Sequence, residues 1–474
     1  MTDGPEHPTV LTPTEAGWLS GSSDGTVVSF LGVPYATAPT GTRRFGPPDP
    51  LPAWDGVRAA DRPGPSAPQP GSLRARLVLG SSPPSGDDCL VLNVWTPDPR
   101  AGAGLPVLVW LHGGAFTNGS GAVAALDGAR LAHATDSVVV TVNYRLGARG
   151  FAYHPQLGGN CGNAGLYDQQ AALRWVRREI TSFGGDPARV TLAGDSAGSM
   201  AAALHSVLPS SGSLFAQVSL HSGTPRLQSP DAAAAFTERL ADRLRVDLDG
   251  LNHVGDADLI RATAELDAAP RFGPVAVGEL AAPLPELQSA APPVPHLVNT
   301  TADEGTFLLV DERSSRAVTR AEAVSLLDAL PGGGGGERYA RAEGQVSGDR
   351  KGDPHWVLSH ALTDALFDRP ADDWATAAAA RGAPVWRSRY GRPARKWDGR
   401  LGATHTLDVP VLFGNHRAGE LASLFDGDAS IDDVSRDLQR SLRLFLHTGV
   451  PDAGWPRWTA EERHTVNAAE RPLT

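Results

Sequence analysis

Short unbroken apolar runs recur from residue 105 onward: 105–111 (LPVLVWL), 137–143 (SVVVTVN), 189–193 (RVTLA), 218–220 (VSL) and 294–299 (VPHLVN). Runs this short, rich in β-branched residues and without polar alternation, predict strands buried on both faces. Helix-like stretches lie between them, at 169–180 and 199–207. This alternation predicts an α/β fold with a large, mostly parallel central sheet flanked by helices. Upstream the texture differs. The first 100 residues are rich in Gly and Pro, and 25–33 alternates polar and apolar, which predicts small antiparallel strands joined by turns. Residues 231–268, rich in Ala, Leu, Asp and Arg, predict helices inserted between strands. The run PGGGGG at 331–336 predicts a surface loop with no regular element. It has no Lys-Ser/Thr ending and no preceding strand, so it is not a phosphate loop. No repeat and no linker divides the chain, so 1–474 reads as one domain with helical insertions at 224–293 and 306–400.

Composition removes several functional classes. With 41% hydrophobic and 20% charged residues the chain is an ordinary globular protein. Lys+Arg 42 against Asp+Glu 53 gives a net charge of -11, and only Lys351 and Lys396 are lysines, so no basic stripe exists to neutralise phosphates. Nucleic acid is not an expected partner. The opening MTDGPEHPTV has neither a basic nor an apolar leader segment, and no run of about 18 apolar residues follows. A cytoplasmic protein without membrane insertion, monomeric or homodimeric, is expected. Cys89 and Cys161 make no disulfide framework or Cys-rich zinc site, and no H-E-x-x-H spacing occurs. Neither a metal nor a cofactor is expected.

Against that background one hexapeptide stands out. Gly194-Asp195-Ser196-Ala197-Gly198-Ser199 follows the strand-like 189–193 and precedes a helical stretch. A G-x-S-x-G in that setting is a nucleophile elbow, a cramped turn that lifts a strained serine above the sheet edge. A serine hydroxyl needs a base to take its proton and an acid to hold that base, and for this elbow the chain order is Ser, acid, His. Asp303 and Glu304 both follow the strand-like 294–299 and both remain open as the acid. His405 ends a GATH segment on a loop and is the candidate base. The turn His112-Gly113-Gly114-Ala115 follows the first long strand and can aim backbone N–H groups at a carbonyl oxygen, together with the N–H of Ala197.

With these blocks in place the chain resembles the type-B carboxylesterase family, α/β-hydrolases that include bacterial carboxylesterases, p-nitrobenzyl esterases and cholinesterases. The likeness runs almost end to end. It takes in 30–36 (FLGVPYA), 41–48 (GTRRFGPP), 88–97 (DCLVLNVWTP), 109–116 (VWLHGGAF), 143–151 (NYRLGARGF), 163–169 (NAGLYDQ), 183–187 (FGGDP), the elbow, 303–305 (DEG) and the tail from Phe445 to Pro456. The resemblance implies an α/β-hydrolase fold and a catalytic triad of Ser196, Glu304 and His405. It also implies an oxyanion hole formed by Gly114, Ala115 and Ala197.

The implied reaction is hydrolysis of small to medium carboxylic esters through an acyl-enzyme on Ser196. A catalytically silent interaction protein of the same fold is the alternative, as is the same triad applied to amides, carbamates or acyl transfer. The chain departs from the family pattern in three places. Asp195 stands where Glu is common, Ser199 stands where Gly is common, and Thr406 follows the histidine where Gly is usual. The upstream cysteine that secreted members pair with the D-C-L block is absent, so the resemblance implies a free, buried Cys89.

Overall fold

The computed structural model describes residues 8–157, 159, 162–266, 272–310 and 318–468. Its twelve strands are β1 (Thr9–Pro13), β2 (Trp18–Ser23), β3 (Val28–Pro34), β4 (Val57–Ala59), β5 (Val91–Thr96), β6 (Leu105–Leu111), β7 (Val138–Val142), β8 (Gly185–Asp195), β9 (Gln217–His221), β10 (His296–Thr301), β11 (Val385–Tyr390) and β12 (Thr465–Asn467). They form one sheet in the order β1-β2-β3-β5-β7-β6-β8-β9-β10-β11-β12, with β4 beside β2. Along that order pairing is antiparallel from β1 to β7 and parallel from β7 to β12, while β4 pairs with β2 in parallel. The mostly parallel half and the antiparallel N-terminal strands both match the expectation.

The hydrophobic runs become central strands because both of their faces are covered. On β6, Val107, Val109 and Leu111 enter one core cluster while Leu108 and Trp110 enter the other; Val139 of β7 likewise faces opposite to Val138 and Val140. Two-residue alternation sends successive side chains to opposite faces, so an all-apolar strand requires two cores. Helix Ala164–Glu179 supplies Leu173 and Val176 to the first core; helix Ile431–Thr448 supplies Leu442 and Leu446 to the second.

Two expectations need correction. Helix Gly335–Gln345 begins inside the glycine run, so only its first part is loop. Gly334 makes the turn at φ 77°, and Tyr339 and Ala342 bury the helix against its neighbour Arg320–Asp328. The glycine is used for closeness as well as freedom: a Cβ on Gly335 would lie 2.2 Å from the Val324 carbonyl oxygen. The span 306–400 is also not helical throughout, because β11 lies within it and pairs with β10 in parallel. The inserted segment after β9 does carry helices, Pro230–Leu244 and Asp256–Glu265; the end of the expected helical stretch, 267–268, lies outside the described residues, as does Cys161. Cys89 is buried and unpaired, and burial pushes its thiol up to about 12.

Among the described residues no helix is long and apolar enough to cross a membrane. Among them, too, no group of His, Cys, Asp and Glu is placed to hold a metal ion.

Candidate active site

The elbow is built by sterics. Strand β8 ends at Asp195, helix Ala197–His205 starts at once, and Ser196 between them is held at φ 51°, ψ -118°. Few non-glycine residues occupy such a conformation without surrounding constraint. Here the constraint is visible. A Cβ on Gly194 would sit 2.5 Å from the Gly198 carbonyl carbon, and one on Gly198 only 1.9 Å from the Leu111 carbonyl oxygen. Both glycines are therefore required by backbone packed against backbone. The Ser196 N–H donates to the His221 carbonyl at 2.8 Å, and Ser199 Oγ donates to the Gly223 carbonyl at 2.7 Å. The departure at 199 thus ties the elbow helix to the end of β9.

His405 and Glu304 converge on this serine. Ser196 Oγ lies 2.8 Å from His405 Nε2, and His405 Nδ1 lies 2.5 Å from Glu304 Oε2. A carboxylate on Nδ1 fixes that nitrogen as the proton carrier and leaves Nε2 free to accept from the hydroxyl. Glu304 is fully buried, and its other oxygen accepts from the Thr301 N–H at 2.7 Å and from Ser222 Oγ at 2.5 Å. Phe307 and Phe367 flank the imidazole at ring-centre distances of 5.3 and 4.8 Å; Phe367 lies on a π-helical turn, Asp364–Asp368.

Asp303, the rival acid, faces elsewhere. Its Oδ2 accepts from the Ala403 N–H at 2.8 Å, its own N–H donates to the Ala403 carbonyl at 2.9 Å, and its Oδ1 pairs with Arg350 at 2.7 Å. It clamps the loop that ends in His405. Gly402 is fitted to that clamp, since it has φ +61° and a Cβ there would lie 2.4 Å from Asp303 Oδ2. Thr406, next to His405, adopts φ 62°. A β-branched residue in the left-handed region costs about 1 to 3 kcal/mol, so the loop is held against local preference by its surroundings.

Opposite the serine, the turn after β6 runs through Gly114, Ala115 and Phe116 at φ 119°, 54° and 58°. A Cβ on Gly114 would sit 1.9 Å from the Asn118 carbonyl oxygen. Among the described residues no protein acceptor takes the N–H of Gly114 or Ala115. Ala197 opens its helix, where N–H groups have no carbonyl a turn behind them. Gly114 and Ala115 border a cavity of about 360 Å³ that includes Ser196 and His405 and has apolar walls of Ala75, Leu79, Pro83, Pro84, Val123 and Phe307.

Asp195 supports the turn from below. Its Oδ1 accepts from the Gly113 N–H at 3.0 Å and from Trp110 Nε1 at 3.1 Å, while Oδ2 is buried without a partner. Burial pushes its carboxyl up to about 6, against the pull of the Trp110 hydrogen bond. His112 beside it is pushed down to about 4 by burial and stacks on Tyr144 at 4.4 Å.

Sequence reasoning missed Ser222, Asp408 and His221, all buried around Glu304 and the elbow. Ser222 follows β9 and Asp408 lies three residues past His405, but neither falls in a motif that marks it.

The carboxylesterase family pattern matches residues 6–473. The para-nitrobenzyl esterase of Bacillus subtilis is 33% identical over 478 residues, covering 96% of this chain and 94% of that protein. The fumonisin B1 esterase of Sphingopyxis macrogoltabida is also 33% identical, covering 96% and 85%. Among solved structures, the carboxylesterase of Geobacillus stearothermophilus superposes with a TM-score of 0.84 at 33% identity, over 97% of this chain and 96% of that one. The chain therefore belongs to the carboxylesterase family, and is a carboxylester hydrolase of the α/β-hydrolase fold.

Proposed function

We propose that Ser196 is the nucleophile, His405 the general base and Glu304 the acid that orients and stabilises the imidazolium. The hydroxyl gives its proton to Nε2 as Oγ attacks the ester carbonyl, and the N–H groups of Gly114, Ala115 and Ala197 receive the oxyanion. Collapse expels the alcohol, protonated by His405. Water activated by the same imidazole then releases the carboxylic acid and restores Ser196.

The observation that carries this reading is the unbroken line of contacts, 2.8 Å from Ser196 to His405 and 2.5 Å from His405 to Glu304, at the wall of the 360 Å³ cavity. The cavity's apolar walls and its size suit neutral esters of small to medium acids and alcohols. The esterase names of the relatives support ester substrates in general. The unpaired thiol of Cys89 fits a reducing, cytoplasmic setting.

Hydrolysis of p-nitrophenyl acetate, butyrate and octanoate by the chain and its variants tests the roles. Ser196→Ala and His405→Ala should each lower kcat by about four decades, and the double variant should cost little more. Glu304→Gln should cost less than either. Full activity in Ser196→Ala would overturn the assignment.

A further inference from the structure

Behind the triad lies a second, fully inward histidine–carboxylate pair. His221 Nδ1 is 2.7 Å from Asp408 Oδ2, and their side chains are only 8% and 3% exposed. The same Oδ2 accepts from Asn299 Nδ2 at 2.8 Å. His221 ends β9, Asn299 lies in β10, and Asp408 opens the short helix Asp408–Leu412 just past the base. One carboxylate oxygen therefore gathers three chain segments.

Each of those segments carries one member of the triad, or its immediate support. The His221 carbonyl accepts the Ser196 N–H at 2.8 Å. Ser222, the next residue, donates its N–H to the Asn299 carbonyl at 2.8 Å and its Oγ to Glu304 Oε1 at 2.5 Å. Asp408 is tied back to the base's turn, where the Val409 N–H donates to the Thr406 carbonyl at 3.1 Å and the Leu407 N–H to the Thr404 carbonyl at 3.1 Å. The His221 ring also lies 5.1 Å from Trp110, whose indole N–H holds Asp195 beneath the oxyanion turn.

We infer that His221 and Asp408 are a positioning pair, which sets the elbow, the clamp on Glu304 and the turn of His405 relative to one another without touching the substrate. The inference rests on Ser196, His405 and Glu304 being the catalytic line. Reacting groups lose about a hundredfold in rate when displaced by about 1 Å, so an anchor common to all three should act on kcat rather than on KM.

The test compares His221→Ala, His221→Asn, Asp408→Ala and the double alanine variant on p-nitrophenyl butyrate, with Ser196→Ala alongside and folding checked by circular dichroism. The Asn amide nitrogen occupies about the place of Nδ1 and can still donate to Asp408. Each alanine variant should lower kcat about 10- to 100-fold with KM within about threefold, the double should cost little more than one single, and His221→Asn should recover most of the loss. If Asp408→Ala does not fold, the contrast between His221→Asn and His221→Ala decides. Folded alanine variants with kcat within about twofold of the parent, multiplicative losses in the double, or a His221→Asn as impaired as His221→Ala would each overturn the pairing. Activity surviving in Ser196→Ala would instead strike at the catalytic line itself.

Discussion

Ser196 and His405 meet at 2.8 Å, but the regions that bring them together are built differently. The serine side is the C-terminal end of β6 and β8, where Gly194, Gly198 and Leu111 press backbone on backbone and leave no room for a Cβ. Its geometry follows from which residues lack side chains. The histidine side is a loop, 402–406, with no strand or helix of its own. Side chains far away in sequence hold it: Asp303 grips Ala403, and Glu304 binds the imidazole. Close packing can be written into one short motif, whereas a loop must be held by partners that the fold delivers from elsewhere.

The sharpest way to break that contrast is on the serine side. Gly198→Ala places a methyl 1.9 Å from the Leu111 carbonyl oxygen, which no side-chain rotation relieves. It should abolish measurable ester hydrolysis and lower Tm by several degrees in a thermal melt. On the histidine side the damage should be graded. Asp303→Ala removes the acceptor for the Ala403 N–H and should lower kcat about 10- to 100-fold, whereas Asp303→Asn keeps an acceptor there and should lose less than about tenfold. A loss in Asp303→Ala as large as that from removing Glu304 would mean that the two acids share the catalytic role.

The last expected effect falls on stability rather than on rate, and it is electrostatic. Asp195 is held at about 6 in the folded chain against an ordinary value of 3.8, because burial penalises its charge. A carboxyl raised by folding binds its proton more tightly in the native state, so it costs nothing below its ordinary pKa. The cost grows as pH rises through about 6, then levels off. Asp195→Asn removes the titration and keeps an acceptor for Gly113 and Trp110. Between pH 4 and pH 8 the parent should therefore lose on the order of 2 to 3 kcal/mol of stability relative to the variant, read by denaturant unfolding at each pH. A pH-independent difference would show that Asp195 does not titrate there.

The same contrast explains what could be read from sequence. β6, the elbow and the HGGA turn are local patterns, and 105–111 coincides with the observed strand. On the loop side, spacing left Asp303 and Glu304 equivalent, since both follow the same strand. The family resemblance pointed to Glu304; the structure separates the two by direction, one carboxylate to the imidazole and one to the loop backbone. Ser222 and Asp408 were not legible because their partners lie 82 and 187 residues away. The glycine run at 331–336 misled for a related reason: Gly335 belongs to a helix because Val324 of another helix needs it close.

The most direct test of the central claim is covalent. The purified chain should be treated with a fluorophosphonate, weighed intact and digested for peptide mapping, with Ser196→Ala and His405→Ala treated in parallel. One adduct on Ser196, absent from Ser196→Ala and formed far more slowly in His405→Ala, is the expected result. An adduct on another residue, or one that persists in Ser196→Ala, would contradict it.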